Sequence, residues 1–391
     1  MSSDRRSVLV GFADALAAPE TAASLLGAGH EVSSFARRGH AVPLRRMRNV
    51  RIVEVTAPEE DVAACAEQVA AAAASHDVVM PLDDAAVLVC DRALSAEALV
   101  AGPRGERARL ALDKRMQLRG AAAAGLAVPE WVELPDDESL PSGWTLPAVL
   151  KPALAIEERE GRLRRRSPRL VARVGQLEAL RTAWGWDAPA ILQRWVVGAG
   201  AGIFGLADGG AVHHLSAHRR VRMMNPAGSG SSACASTPVP DELRDPVERM
   251  LAEARWDGMF MVELIRAAEG WWFMELNGRP WGSLALARRV GYEYPAWAVA
   301  RLLDPSAALP ESPLFTEMLC RHLGRELVHL MFVLRGPGSH LGAWPGRGET
   351  LRSLLRYERP TGWYNLAPGM RGVFLDDTWR TVANQALKRR R

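Results

Sequence analysis

Lysine is almost missing from this chain. Of 49 basic residues only Lys114, Lys151 and Lys388 are lysines; the rest are arginines. Heavy Ala and Arg usage is the mark of a GC-rich genome, under which surface lysines drift to arginine. The two internal lysines therefore stand out as places where a compact, strongly hydrated ammonium is needed. Long apolar runs are missing too: no stretch reaches the roughly 18 residues of a membrane span. The first six residues lead into a short apolar segment that meets Gly11 and Asp14, which is not a signal-peptide pattern. Cysteine is scarce. Cys65, Cys90, Cys234 and Cys320 lie far apart and match neither a zinc spacing nor a disulfide framework, so a reducing, cytoplasmic setting is expected. The net charge of +4 is too small for a nucleic-acid binder. The glycine fingerprint of dinucleotide enzymes is absent; the first strand runs into Gly11-Phe12-Ala13-Asp14-Ala15-Leu16.

What is there is a globular composition, 48% hydrophobic and 24% charged, in 391 residues. That length makes about two to four structural units. Residues 1–105 alternate, with strands expected over 7–11, 31–35, 50–55 and 77–80 and helices over 19–28 and 59–74. Such alternation predicts a parallel sheet. One helix is expected over 106–124, an extended segment over 128–134, a loop over 136–144 and a strand over 147–152. The Arg-rich stretch 153–168 reads as an exposed loop or hairpin, followed by a short helix over 176–183 and a strand over 190–197. Gly198-Ala199-Gly200-Ala201-Gly202 predicts a turn. A hairpin follows, with strands over 203–207 and 211–222 about the turn Asp208-Gly209-Gly210. Residues 226–236, rich in Gly and Ser, predict a mobile loop. A helix over 246–254, a strand pair over 258–266 and 270–277, and a helix over 284–290 complete the regular part. Beyond about Pro310 the pattern loosens, apart from a helix over 326–334.

Chemistry concentrates in Trp271-Trp272-Phe273-Met274-Glu275-Leu276-Asn277-Gly278-Arg279. On a strand, Glu275, Asn277 and Arg279 share one face, while Met274 and Leu276 point into the core. A hairpin over 267–270 brings Glu263 near Glu275. Two carboxylates and one amide oxygen make a hard-oxygen site suited to Mg²⁺, and Arg279 adds a planar fork for phosphate. Alone, the pattern is equally that of a polar edge strand. Its company separates the two readings. Asp113-Lys114 at a helix, Lys151 at a strand end and the Gly/Ser loop come in the order an ATP-binding clamp needs.

Seven stretches carry a wider likeness: Asp113-Lys114, 148–152 (Ala-Val-Leu-Lys-Pro), 192–198 (Leu-Gln-Arg-Trp-Val-Val-Gly), 218–222 (His-Arg-Arg-Val-Arg), 226–231 (Pro-Ala-Gly-Ser-Gly-Ser), Met261-Val262-Glu263, and 274–283 (Met-Glu-Leu-Asn-Gly-Arg-Pro-Trp-Gly-Ser). Together, in this order, they resemble the ATP-grasp superfamily over roughly residues 1–305, and more narrowly its carbamoyl-phosphate-synthase-like branch. The resemblance implies an α/β (α+β) chain with an ATP-grasp fold. Residues 1–105 would form an N-terminal Rossmann-like pre-ATP-grasp domain and 106–310 the ATP-grasp domain, with a lid subdomain at about 125–195. Residues 311–391 would be a C-terminal extension. It further implies that Lys114 and Lys151 bind the α- and β-phosphates of ATP. Backbone groups of Gln193, Arg194, Trp195 and Val196 would edge the adenine, and Ser229 and Ser231 belong to the loop that would cover the phosphates. Glu263, Glu275 and Asn277 would hold one or two Mg²⁺, with Mn²⁺ able to substitute. Arg279 would contact the γ-phosphate or an acyl-phosphate, and Arg220 and Arg222 a substrate carboxylate or oxyanion.

The chain departs from the family pattern at four places. Arg194 stands where many members have an acid. The ribose-binding acid after the hinge is replaced by the Gly/Ala run 198–202. The loop after Lys151 is Ala-Leu-Ala-Ile-Glu-Glu in place of glycine and serine, and Gly278 stands where Pro is usual. The activity implied is an ATP-dependent ligase that joins a small-molecule carboxylate to an amine, or to a thiol, through an acyl-phosphate. Nucleic acid and membranes are not expected partners; a homodimer stays open. Alternatives are a nucleotide-binding regulator without turnover and a bicarbonate-activating enzyme. No general base stands out, and Cys234 has no base beside it. His214 and His218 share a strand face, with His213 opposite. Trp271 and Trp272 are expected to pack the sheet and Trp281 to line the site. Arg321, His322, Arg325 and His329 fall on one helix, as shapers of an acceptor pocket or as packing. Lys388 to Arg391 read as a solvated tail.

Overall fold

The computed structural model describes residues 5–134, 143–185, 188–337, 343–356 and 360–387. Most of the loop expected over 136–144 and all of the tail 388–391 lie outside the described residues. The chain opens with β1 (Ser7–Gly11), α1 (Ala18–Gly27), β2 (Glu31–Arg37), β3 (Val50–Val55), α2 (Val62–Ala73), β4 (Val78–Pro81) and α3 (Asp84–Ala93). The four strands form a parallel sheet in the order β3-β2-β1-β4. Burial on both faces is why β1 is an unbroken apolar run: Val8 and Val10 enter one core cluster and Leu9 another. Asp83 caps α3, its carboxylate accepting from the Ala86 N–H at 2.7 Å; this Asp-led start is the local signal for a helix that strand alternation alone does not give.

The helix expected over 106–124 is two helices, α4 (Glu106–Leu112) and α5 (Lys114–Ala123). Asp113 is extended between them (φ −108°, ψ 108°) and caps α5 by accepting from the Arg115 N–H. A tertiary contact makes the break: Asp113 bridges Leu154, and the Lys114 N–H donates to the Ala153 carbonyl at 2.8 Å. A second sheet follows from β5 (Trp131–Leu134), β6 (Ala148–Pro152), β9 (Arg169–Val171) and β10 (Ala190–Arg194), in the order β5-β10-β6-β9. The Arg-rich stretch is the hairpin β7 (Glu157–Arg159) and β8 (Arg162–Arg164), and α6 (Val174–Trp184) precedes β10.

The third sheet has seven strands. It contains β11 (Ala199–Asp208), β12 (Ala211–Met223), β13 (Ser231–Thr237), β14 (Gly258–Ala267), β15 (Gly270–Asn277), β16 (Leu319–Arg321) and β17 (Thr361–Trp363), in the order β15-β14-β11-β12-β13-β16-β17. Helices α7 (Asp241–Glu253), α8 (Leu284–Arg289), α9 (Tyr294–Leu303), α10 (Leu323–Arg335), α11 (Arg347–Leu355) and α12 (Arg371–Leu387) complete the chain. No helix among the described residues is long and apolar enough to cross a membrane.

Two expectations about glycine fail here. The run 198–202 is largely strand β11, not a turn. Its glycines make room for neighbours: a Cβ on Gly200 would meet Arg220 Cδ at 2.7 Å. The second half of 226–236 is strand β13, held between β12 and β16 with Ser232, Ala233, Cys234 and Ala235 buried; small residues read as mobility but serve close packing. The turn at Gly209 and Gly210 is as expected, both at positive φ. The regular structure past Pro310 escapes the sequence pattern because its segments are short or only partly apolar on one face.

One core cluster joins the first sheet to the third. Val8, Val10 and Met80 are grouped with Phe204, Trp281 and Tyr294. Trp281 is therefore core, 1% exposed, and not part of a site wall. Trp271 and Trp272 are half-buried, with Arg266 over the first ring and Arg194 over the second. This joint core holds the loop after β4 against the end of β15, where the charged groups collect.

Candidate active site

Strand register brings the carboxylates together. Glu263 on β14 is directly opposite Glu275 on β15, with a bulge just past Glu263. Cross-strand partners share a face. Asn277 lies two residues on from Glu275 and donates to its Oε1 at 3.1 Å. Arg279 donates to Asn277 Oδ1 at 2.9 Å and to Asp84 Oδ1 at 2.8 Å. Asp84, the first residue of α3, also pairs with Arg165; the sequence reading gave it no role. Burial raises its pKa, but Arg279 and Arg165 pull it below the ordinary range.

The two lysines arrive from different elements. Lys114 Nζ lies 3.7 Å from Glu275 Oε2. Lys151, one residue before the end of β6, is buried, with no carboxylate at ion-pair distance among the described residues. Burial pulls its ammonium down to about 8, with Glu275 and Glu263 opposing the shift and Lys114 reinforcing it. Glu275 is pushed up by burial, yet Lys114, the Asn277 amide and Lys151 bring it below its usual value.

What holds Lys114 over β15 is Gln117, one turn along α5. β15 is an edge strand, so its outer backbone groups lack a strand partner. The Gln117 amide supplies one: Nε2 donates to the Leu276 carbonyl at 2.9 Å and Oε1 accepts from the Leu276 N–H at 3.0 Å. Sequence reasoning missed this residue. A glutamine on the apolar side of a helix, three residues after Lys114, is the signal that could have pointed to it.

Two cavities meet at this face. The larger, of about 870 Å³, is lined by Lys114, Lys151, Val149, Trp195, Ser229 and Arg335 among others. The smaller, of about 520 Å³, takes in Asp14, Asp83, His218, Ser231, Arg279 and Arg325. Glu263, Glu275, Arg220 and Gly230 line both, so the carboxylates form the shared wall.

Arg220 reaches this wall and pairs with Glu263 at 2.6 Å. Arg222 does not reach it. Alternation places the two arginines on one face, but β12 is bulged: Arg220 opposes Cys234 and Arg222 opposes the adjacent Ala233. The Arg222 guanidinium instead donates to Glu326 on α10 at 3.0 Å, where Arg321 also binds. At the end of β10 the Arg194 N–H donates to the Glu130 carbonyl and the Trp195 N–H to that of Pro147, so neither is free to read a base. The Arg194 side chain lies over Trp272. Gln193 is the reverse case. It is fully buried, and both its amide atoms lack a hydrogen-bond partner. Its register partner Val149 lines the larger cavity, so this orphaned amide stands on the cavity side of the sheet. Ser229 Oγ accepts from the Asn225 N–H and fixes the loop turn. Ser231 Oγ contacts the Cys234 thiol, whose pKa burial raises, so Cys234 is a packed thiol and not a nucleophile. His218 contacts Ser283 Oγ at 3.1 Å, and burial together with Arg220 pushes its pKa to about 3, leaving a neutral ring. His214 is bound to the Pro310 carbonyl.

Neither a family model nor a curated protein matches the sequence. Solved structures do. An L-amino acid ligase from Bacillus licheniformis superposes with a TM-score of 0.57 at 17% identity, over 78% of this chain and 75% of that one. An N5-carboxyaminoimidazole synthetase from Staphylococcus aureus, complexed with ADP, gives 0.58 at 12% identity over 78% of each chain. The biotin carboxylase domain of the Hydrogenobacter thermophilus 2-oxoglutarate carboxylase, in complex with MgADP, ADP and bicarbonate, gives 0.57 at 16% identity over 78% and 71%. With its element order and its paired carboxylates between two cavities, the chain has the ATP-grasp fold.

Proposed function

We propose that the protein is an ATP-dependent ligase that joins a carboxylate to an amine. One observation carries the reading: Glu263 and Glu275 form the wall between a cavity lined by the two internal lysines and a second cavity lined by arginines. The neighbours solved with ADP or MgADP support a nucleotide in the lysine-lined cavity. Its walls fit one. Lys114 and Lys151 offer two ammonium groups to a polyphosphate, and behind the wall, on the side of Val149, the buried Gln193 amide is unpaired. Glu263, Glu275 and Asn277 would hold Mg²⁺, which would neutralise phosphate charge there; hard oxygen donors of this kind suit it.

In the reaction the terminal phosphoryl group passes to an oxygen of the substrate carboxylate, releasing ADP; the amine then attacks the acyl carbon and phosphate leaves. The chain contributes position and charge rather than bond making. Lys151, desolvated and short of a counter-ion, gains most when a phosphate arrives. Arg279 is pre-oriented by Asp84 and Asn277 toward the shared wall. His218, its pKa pushed to about 3, is too weak a base to take the amine's proton, which leaves with the phosphate or to water.

Glu275→Gln is expected to abolish ADP formation while leaving the fold intact. Acceptor-stimulated ADP release from a panel of carboxylates and amines measures it. Near-normal turnover in the variant would remove Glu275 from the site. Tight ATP binding without ADP release from wild type under any acceptor would leave a nucleotide-binding regulator instead.

A further inference from the structure

The smaller cavity contains a charge that the fold leaves unneutralised. Arg165, Arg220, Arg279 and Arg325 line it. Three of them are paired, Arg165 and Arg279 with Asp84 and Arg220 with Glu263. Arg325, on α10, has no carboxylate within ion-pair distance among the described residues; its guanidinium donates to the Ser231 carbonyl at 3.1 Å. It is partly exposed, and it lines the cavity. Gly230 makes the space for it: a Cβ there would stand 2.8 Å from Nη1. Most of its five N–H donors are left for a ligand, and a planar fork of this kind matches a carboxylate.

The same cavity also carries the opposite imbalance. Asp14 and Asp83 line it. Among the described residues the cation that pairs with them is Arg37, which serves Asp14, Glu59 and Asp83 together. Three carboxylates on one guanidinium leave excess negative charge, placed where an ammonium is attracted. Leu16, Leu82 and Met261 line the cavity as well, and its volume of about 520 Å³ leaves room for an apolar side chain.

We propose that this cavity binds a free α-amino acid, its carboxylate gripped by Arg325 and its ammonium turned toward Asp14 and Asp83. The proposal rests on the ligase reading, of which it names one substrate class. It assigns substrate choice to α10, in the part of the chain beyond the ATP-grasp resemblance.

The test is calorimetry on the full chain with MgADP present, titrated with the standard L-amino acids, their carboxamides and their N-acetyl forms. At least one free amino acid is expected to bind, with its carboxamide and N-acetyl form about tenfold weaker or worse. Arg325→Gln is expected to lose about tenfold or more for that amino acid while MgADP affinity stays within about twofold, which also shows the variant folded. If Arg325→Gln loses MgADP binding as well, Arg325→Lys decides, since it keeps the charge and removes the planar fork: MgADP affinity is expected to hold and amino-acid affinity to fall. An unchanged amino-acid affinity in the folded variant, equal binding of acid and carboxamide, or no binding by any amino acid would overturn the proposal. ADP release separates the two readings. Release driven by carboxylates without an ammonium and unaltered in Arg325→Gln would sink the amino-acid site and keep the ligase. Normal amino-acid binding with no ADP release would do the reverse.

Discussion

Lys151 shows what a single buried charge costs. Its ammonium is buried with a pKa near 8, against 10.5 in the free chain. Between those values the unfolded chain holds a proton that the folded chain has released, so nucleotide-free stability rises with pH across that window. Below pH 8 the penalty is full. Lys151→Met is therefore expected to stabilise the nucleotide-free protein at pH 7 by on the order of 2–3 kcal/mol. The gap to wild type should close as pH passes 10.5, as urea unfolding of both proteins across pH would show. The same variant should lose nucleotide binding, and wild-type nucleotide affinity should fall as pH rises through about 8, because the ammonium is then lost. A variant less stable than wild type at pH 7 would mean that the lysine is a structural group and not a held charge.

Between elements, the decisive contact is α5 on the edge strand β15. Gln117 pairs with both backbone groups of Leu276 and so stands in for a missing strand. Gln117→Leu would leave that buried N–H and C=O unpaired, and it is expected to cost about 2–4 kcal/mol. Because Lys114 rides on the same helix, nucleotide binding should weaken with it. A change in urea midpoint too small to resolve would show that α5 is held by its apolar contacts alone. The bulge in β12 acts at this scale too. It turns Arg222 away to Glu326, while Arg220 stays at the carboxylates.

Over the whole molecule, residues past 310 are woven into the seven-stranded sheet. β16 pairs with β13, Cys320 opposes Cys234, and Tyr364 packs with both. Asn365 donates through its backbone N–H to the buried Glu20 on α1, which also holds Arg288 and Arg289. A chain ending at residue 310 would expose this cluster and leave β13 without its outer neighbour. It is expected to lack a cooperative unfolding transition by circular dichroism. A truncated chain that unfolds cooperatively and still binds MgADP would make the segment an appendage. The same segment supplies Arg325, Phe332, Arg335 and Trp344 to the two cavities, so it closes the site from one side.

What the sequence by itself determined is local and periodic. Alternating apolar runs specified the parallel sheet of β1 to β4, and strand parity put Glu275, Asn277 and Arg279 on one face beside Glu263. Scarcity singled out Lys114 and Lys151, since two lysines among many arginines need no structure to be noticed. What only the tertiary structure decided is the fate of the arginines. In sequence they are alike, and at the two cavities their roles depend on partners far along the chain: Arg222 is drawn off by a carboxylate 104 residues away and Arg279 is held by one 195 residues away. Among the arginines of the smaller cavity, Arg325 stands out because no such partner arrives among the described residues. Coulomb attraction acts through space, so the pairing of charges cannot be read along the chain.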